Sequence, residues 1–442
     1  MRVHRSIGVE APKVIPRIAL TVETSGSTIL GKPSPLRKSF KVFHRSDRPI
    51  IPVNLAEKGI GPGPSTSRQR PPLVEESPPP PTDFTRLSVV IVNYQSWPDV
   101  DRLVVSLANS PSVGSGLAEI LVVDNHSGEP VPDRLLEPIR GVRLILRPDN
   151  DGFSSGVNVG WKASKAPWIL VLNPDIVPDG DLLSQILGQI ETYEQRPGRP
   201  PGVVGFALRN PDGSRQPSVG AFPGLLRTVW EQLIPRSRRK YQPEWRLRAG
   251  PVDWVTGACM LLNSRMLEDL GGMDEDFFLY HEEVALCRSA RDHGWGVEFD
   301  PSVAVVHLRP LQNRPISPKM RVITRHSKLL YFRKHLPAWQ FAALTATVRL
   351  ESKLREAVAR ARGRSREVRS WRLVDRVARL LGSGGDLRGR AVRILAETVD
   401  DPAEEADGTG QPLRQSPARI APRPMHGRPQ RTRPIATRKD GP

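Results

Sequence analysis

The most constraining feature of this chain is a change of pattern at Leu87. Just before it, residues 61–84 read GPGPSTSRQRPPLVEESPPPPTDF. Such a Pro/Ser/Gly stretch cannot bury enough apolar surface to offset the entropy of ordering. After it, β-branched runs alternate with segments of helical period. LSVVIVNY reads as a buried strand, and DVDRLVVSLANS sets Val100, Leu103, Val104 and Leu107 on one helical face. EILVVDN and VRLILRP read as strands, residues 154–166 as a helix, PWILVLNPD as a fourth strand and DLLSQILGQIETYEQ as an amphipathic helix. This alternation predicts an α/β fold, Rossmann-like, with a mostly parallel sheet flanked by helices.

Past residue 200 the alternation loosens. RNPDGSRQ carries an Asp-Gly hairpin signal, while the Arg-rich residues 222–250 read as an irregular, mobile loop. WVTGACMLL is strand-like, FFLYHEEVALCRSARDHGW runs from aromatics into a short helix, and VEFDPSVAVVHL supplies closing strands. Beyond them the chain turns basic and helical. AWQFAALTATVRL has about 13 apolar-rich residues, too few to span a bilayer. REVRSWRLVDRVARLL places Val368, Trp371, Val374, Val377 and Leu381 on one face with arginines opposite. That face suits an interfacial membrane helix or packing on the core. The expected organisation is a disordered, Pro-rich basic extension and linker (1–85), an α/β domain (86–310), a basic helical extension (311–400) and a disordered tail (401–442).

The net charge of +18 tempts a nucleic-acid reading, but its distribution does not support one. Residues 1–85 carry 13 Lys/Arg against 7 Asp/Glu, and residues 310–442 carry 29 against 12. The stretch between them carries 23 against 28. No nucleic-acid motif accompanies the basic segments. An anionic membrane surface, met through residues 319–382, is the expected partner of that charge. No run of 18 apolar residues appears, MRVHRSIGVEAPK lacks a continuous apolar core, and there are two cysteines, Cys259 and Cys287. These features predict a reducing, cytoplasmic setting, peripheral on the inner face of the plasma membrane.

Ligands of parallel sheets sit beyond the carboxyl ends of the strands. Polar residues collect there: Asn93, Asp124-Asn125 and Asn173-Pro174-Asp175. A strand-end carboxylate such as Asp175 suits a hard cation, which takes one or two protein carboxylates plus phosphate oxygens; the triplet also reads as an ordinary turn. Asp124 can accept from a ribose or base edge, or cap the next helix. Asn150-Asp151-Gly152-Phe153 and Gly156-x-Asn158 enter a helix whose first N–H groups can meet an anion. Glu282-Glu283 follow the apolar FFLY, as a general base beside an aromatic wall or as helix-start acids that favour the macrodipole. Asp274, Glu275 and Asp276 crowd the same region. His307 ends VAVVHL as a metal ligand or a satisfied surface histidine, and Cys259 reads as core.

Taken in order, LSVVIVNY, VVDNHSG, NDGFSSGVN, ILVLNPD, VTGACMLL, GGMDEDFFLYHEEVALCR and VAVVHL resemble the inverting family 2 glycosyltransferases. The nearest resemblance is to the bacterial rhamnosyltransferase-like branch, over residues 86–310. It implies a GT-A fold and a nucleoside-diphosphate sugar donor. The acceptor it implies is a hydroxyl of a glycan or lipid-linked glycan, in cell-surface polysaccharide synthesis. By the same resemblance Asn93, Asp124, Asn125, Asn150, Gly152, Asn158, Asn173 and Asp175 bind the donor. Asp175 with His307 holds Mg²⁺ or Mn²⁺, and Trp254, Gly257, Asp276 and Tyr280 line the acceptor or sugar pocket. Glu283, or its neighbour Glu282, is the catalytic base. One place departs from the branch, which usually reads Glu-Asp-x-Asp/Glu-Leu-Cys: here stand Glu282-Glu283-Val284-Ala285-Leu286-Cys287. The alternatives are a catalytically impaired scaffold that kept the fold, or a protein that binds through its basic tail.

Overall fold

The computed structural model describes residues 84–232, 248–309 and 316–400. The expected linker before residue 84, the tail after residue 400 and part of the Arg-rich loop lie outside them. The first half of the chain runs β1 (Leu87–Asn93), α1 (Trp97–Ala108), α2 (Pro111–Gly114), β2 (Ala118–Asp124), α3 (Asp133–Leu136), β3 (Val142–Leu146), α4 (Phe153–Ala163), β4 (Trp168–Leu172), β5 (Ile176–Pro178) and α5 (Leu182–Gln195). Then follow β6 (Val203–Arg209), β7 (Arg215–Gln216), β8 (Val219–Gly220), α6 (Leu225–Gln232), β9 (Gly250–Pro251), β10 (Trp254–Val255), β11 (Cys259–Asn263), α7 (Ser264–Leu270), α8 (Glu282–Asp292) and β12 (Val297–His307). Four helices end the described chain: α9 (Pro318–His335), α10 (Ala338–Ala361), α11 (Ser365–Gly382) and α12 (Gly389–Glu397).

The main sheet has the order β3-β2-β1-β4-β11-β6-β12-β5. Its first four strands are parallel, β11 runs antiparallel to both neighbours, and β12 is again parallel to β6. The α/β expectation holds, with β11 making the sheet mixed. All seven residues of β1 are buried, because both faces of the sheet are covered and alternate side chains feed opposite layers. Val90 and Val92 join Leu121 and Val123 on one face. Leu87, Val89 and Ile91 join Val100, Leu103, Val104 and Leu107 of α1 on the other, which α5 also covers. The Asp-Gly hairpin forms as expected: Leu208 of β6 faces Gln216 of β7, and Gly213 takes φ 81° at the turn.

One expectation is corrected, and one pair of alternatives is decided. Residues 225–232, read as irregular loop, form α6, whose period places apolar Leu225 and Val229 one turn apart. The apolar face of α11 is not a membrane face. Val368, Trp371, Val374, Val377 and Leu381 are all buried, because α9 and α10 offer that stripe a dry partner. Val322, Leu329 and Phe332 of α9, Val374 of α11 and Val392 of α12 pack in the same cluster as Val90 of β1. The helical extension therefore completes the core on one face of the sheet. Among the described residues no helix is long and apolar enough to cross a membrane.

Candidate active site

Pairing of β1 with β2 puts Asn93 directly beside Asp124 at the carboxyl edge of the parallel strands. The Asn93 amide donates to Asp124 Oδ1 (2.7 Å) and to Ser127 Oγ (3.0 Å), and the Ser127 N–H donates to Asp124 Oδ2 (3.1 Å). The carboxylate is thereby fixed in place at the strand end. Asn125 donates to the Gly152 carbonyl (2.8 Å) and accepts from Arg147, which also reaches Asp151 (2.9 Å) and Ser155 (3.0 Å). Asn150 accepts from the Gly152 N–H (3.0 Å). Gly152 is required here: its φ is 104°, and a Cβ would lie 2.4 Å from the Phe278 carbonyl oxygen. Asn158 is used differently, with its amide committed to both backbone groups of Met273 and to Glu275.

Asp175 follows β4, and the register of β5 on β12 sets His307 opposite Ile176. His307 Nε2 is thus 3.3 Å from Asp175 Oδ1. The Arg309 N–H donates to Asp175 Oδ2 (3.2 Å), and its guanidinium contacts Asp99. Burial works to raise the Asp175 pKa, but the hydrogen bond and charge of His307 and the Arg309 N–H outweigh it, so the carboxyl is held below its ordinary value. Asn173 is held at its backbone, its N–H donating to the Ala258 carbonyl (3.0 Å).

On the far side of His307, the Gln216 side-chain amide lies 3.0 Å from Nδ1, and the buried Gln216 Oε1 has no partner among the described residues. Reversing that amide, a choice set by hydrogen-bond networks, gives the orphan oxygen the Nδ1 proton. In the protonated ring Nε2 still donates to Asp175, and a bound cation would displace that proton and take the Nε2 lone pair. A histidine ligand typically donates its other N–H to such an acceptor. The pair Asp175 and His307 therefore fits a divalent cation. Among the described residues no group of three or more His, Cys, Asp or Glu surrounds it, so other ligands would come from phosphate oxygens and water.

Glu282 and Glu283 are buried in the first turn of α8. A Cβ added at Gly257 would lie 3.7 Å from the Phe153 ring and 3.8 Å from Glu283 Cβ. Trp254, two residues beyond Val252, is buried with Nε1 donating to the Ala221 carbonyl (2.9 Å). Tyr280 and His281 precede the pair in left-handed conformation, φ 69° and 68°. Gln95 and His126 are the other non-glycine residues of positive φ among those described. All four lie within two residues of Asn93, Asn125 or Glu282, so the strain is concentrated at the site. The carboxylate of Asp276 is occupied by Lys334 (2.5 Å) and approached by Arg388 (3.5 Å), and Lys334 also reaches Asp274 (2.6 Å). Ser327 Oγ donates to the Leu279 carbonyl (2.8 Å). The segment leading to the glutamates is thus braced by α9 and α12. Sequence reasoning missed Arg147, Gln216, Arg309 and Lys334, whose roles come from register and packing. The two cysteines are buried and free, with thiols pushed up to about 12 by burial.

The family model described as Glycosyl transferase family 2 matches residues 88–271. An N-acetylglucosaminyl-diphospho-decaprenol L-rhamnosyltransferase of Mycobacterium tuberculosis (strain ATCC 25618 / H37Rv) is 26% identical over 286 residues, 60% of this chain and 89% of that protein. The low-salt glycan biosynthesis hexosyltransferase Agl10 of Haloferax volcanii is 27% identical over 234 residues, 51% of this chain and 68% of that protein. Among solved structures, the mannosyltransferase PcManGT from Pyrobaculum calidifontis, in complex with GDP-Man and Mn²⁺, is 14% identical with a TM-score of 0.40, covering 69% of this chain and 88% of that one. Residues 88–271 carry a glycosyl transferase family 2 domain, and through it the chain is similar to rhamnosyltransferases and hexosyltransferases of glycan synthesis.

Proposed function

We propose that this chain moves a sugar, with rhamnose the first candidate, from a nucleoside-diphosphate sugar to a hydroxyl of a glycan or lipid-linked glycan, with inversion, in cell-surface polysaccharide synthesis. The observation that carries the reading is that one sheet holds both the Asn93–Asp124 pair and the Asp175–His307 pair, with Glu283 of α8 near Gly257. Asp124 presents an acceptor for the nucleoside, and Asn93 holds that carboxylate in orientation. Asp175 and His307 would hold Mg²⁺ or Mn²⁺, which when bound neutralises charge gathering on the leaving diphosphate. Arg309, at the same carboxylate, adds a fixed cation. Glu283, with Glu282 as its alternate, takes the proton of the attacking hydroxyl. A single displacement inverts the anomeric centre.

The name of the mycobacterial relative makes a polyprenyl-diphosphate-linked N-acetylglucosamine the first acceptor to try. A lipid-linked acceptor fits a peripheral position on the cytoplasmic face of a membrane, and the excess of 29 Lys/Arg over 12 Asp/Glu in residues 310–442 supports it. Purified protein should be incubated with that acceptor and a panel of nucleoside-diphosphate sugars, with product mass and anomeric configuration read by mass spectrometry and NMR. Transfer with inversion is expected. Donor binding without turnover of any pair would favour the scaffold reading, and a retained anomeric configuration would sink the mechanism.

A further inference from the structure

A surface helix of a globular protein buries one stripe and shows a polar face to water. Helix α10 departs from this. Its buried stripe is Leu344, Thr345, Val348, Ser352 and Ala359. At 3.6 residues per turn, Trp339, Ala346, Leu350, Leu354 and Ala357 fall on the opposite side, with Val358 at their margin. That side is exposed: Trp339 by 63%, Leu350 and Leu354 by 61% and Val358 by 48%. No charged residue falls within the stripe. Lys353 and Arg360 run along one margin of it. The stripe extends along much of a helix about 36 Å long. Its first turn is tied to α6, where the Leu225 N–H donates to Gln340 (3.0 Å) and Leu226 is 86% exposed.

The charge of the hairpin formed by α10 and α11 is one-sided. Residues 338–382 carry 11 Lys/Arg against 4 Asp/Glu. Each of those acids is already in an ion pair: Glu351 with Arg325, Glu356 with Arg360, Glu367 with Arg364 and Asp375 with Arg349. The surplus is cationic. Pairing two copies about a two-fold axis on this face would set cations against cations. An anionic bilayer satisfies both features, taking the apolar side chains at its interface and the cations at its headgroups.

We propose that the outward stripe of α10, with Leu226 of α6, is the surface by which this protein lies on an anionic lipid bilayer. The inference deepens the reading of a lipid-linked acceptor, yet vesicle binding needs no turnover and is decided apart from it. Full-length protein should co-sediment with vesicles of phosphatidylcholine and phosphatidylglycerol at low salt. Binding should fall about tenfold with pure phosphatidylcholine or as salt rises. Leu350→Glu with Leu354→Glu should weaken it at least tenfold, leaving the circular dichroism unchanged. If the double variant misfolds, a polarity-sensitive dye on Leu350→Cys should shift to the blue with vesicles, while one on Glu191→Cys of α5, across the sheet, should not. Undiminished binding by the double variant, no binding by the parent, or equal shifts at both dyes would overturn the proposal. So would a wild-type dimer in light scattering that the double variant dissolves, which would give the face to a second copy.

Discussion

At the scale of single residues, Glu283→Gln keeps the side-chain volume and removes the basicity. It should slow transfer by about 10²–10⁴-fold while donor binding, followed by calorimetry, stays as it was. Glu282→Gln is its control, and Glu283→Asp restores the family's usual residue one methylene shorter. Near-normal turnover by Glu283→Gln would remove it as the base. Gln216 makes a second test. If its amide orients His307, Gln216→Leu should weaken Mn²⁺ binding about 10–100-fold, measured by titration with nucleoside diphosphate present, without altering secondary structure. Equal affinity would show that His307 needs no such support. Asp124, Asp175 and Glu283 stood out as candidates because carboxylates at strand ends and helix starts break an apolar pattern. Gln216 was not, since it meets His307 only after β7 folds back on β6 and β6 pairs with β12. The left-handed residues Gln95, His126, Tyr280 and His281 were equally hidden, because no glycine marks them.

At the scale of elements, the seam between α9 and α12 carries a pH dependence. His326 of α9 is fully buried, and its Nε2 lies 2.6 Å from the Leu387 carbonyl oxygen. Burial, opposed by that hydrogen bond, lowers its pKa to about 4 from 6.5. Between those values the unfolded chain binds a proton that the folded chain refuses. Stability from this residue is therefore full above pH 6.5 and is lost as the pH falls toward 4, by on the order of 3 kcal/mol. The urea midpoint should drop from pH 7 to pH 5, and His326→Gln should flatten that drop. An unchanged slope in the variant would assign the dependence elsewhere. Periodicity located the apolar face of α11 correctly, but period alone does not say what covers a face. Packed neighbours supplied the cover for α11, and α10 was left with apolar side chains on two sides.

At the scale of the whole molecule, the alternation after Leu87 announced the α/β layers, but not the strand order. The antiparallel insertion of β11 between β4 and β6 depends on long-range pairing that no local pattern encodes. A protein starting near Phe84 should fold and transfer sugar at a similar rate, whereas one ending at residue 309 should aggregate, because part of the cover of one sheet face is gone. Size-exclusion chromatography and circular dichroism check both; a monomeric, folded 84–309 fragment would contradict the shared core. That sharing also sets a schedule for synthesis. Val90 of the first strand and Val399 after the last helix belong to one packed cluster. A ribosome adding about 5–20 residues per second needs roughly 15–60 s to travel between them. Throughout that interval the face lined by Val157 of α4, Met266 of α7 and Val284 of α8 stays incompletely covered, so the growing chain is a client for chaperones until its final helices emerge.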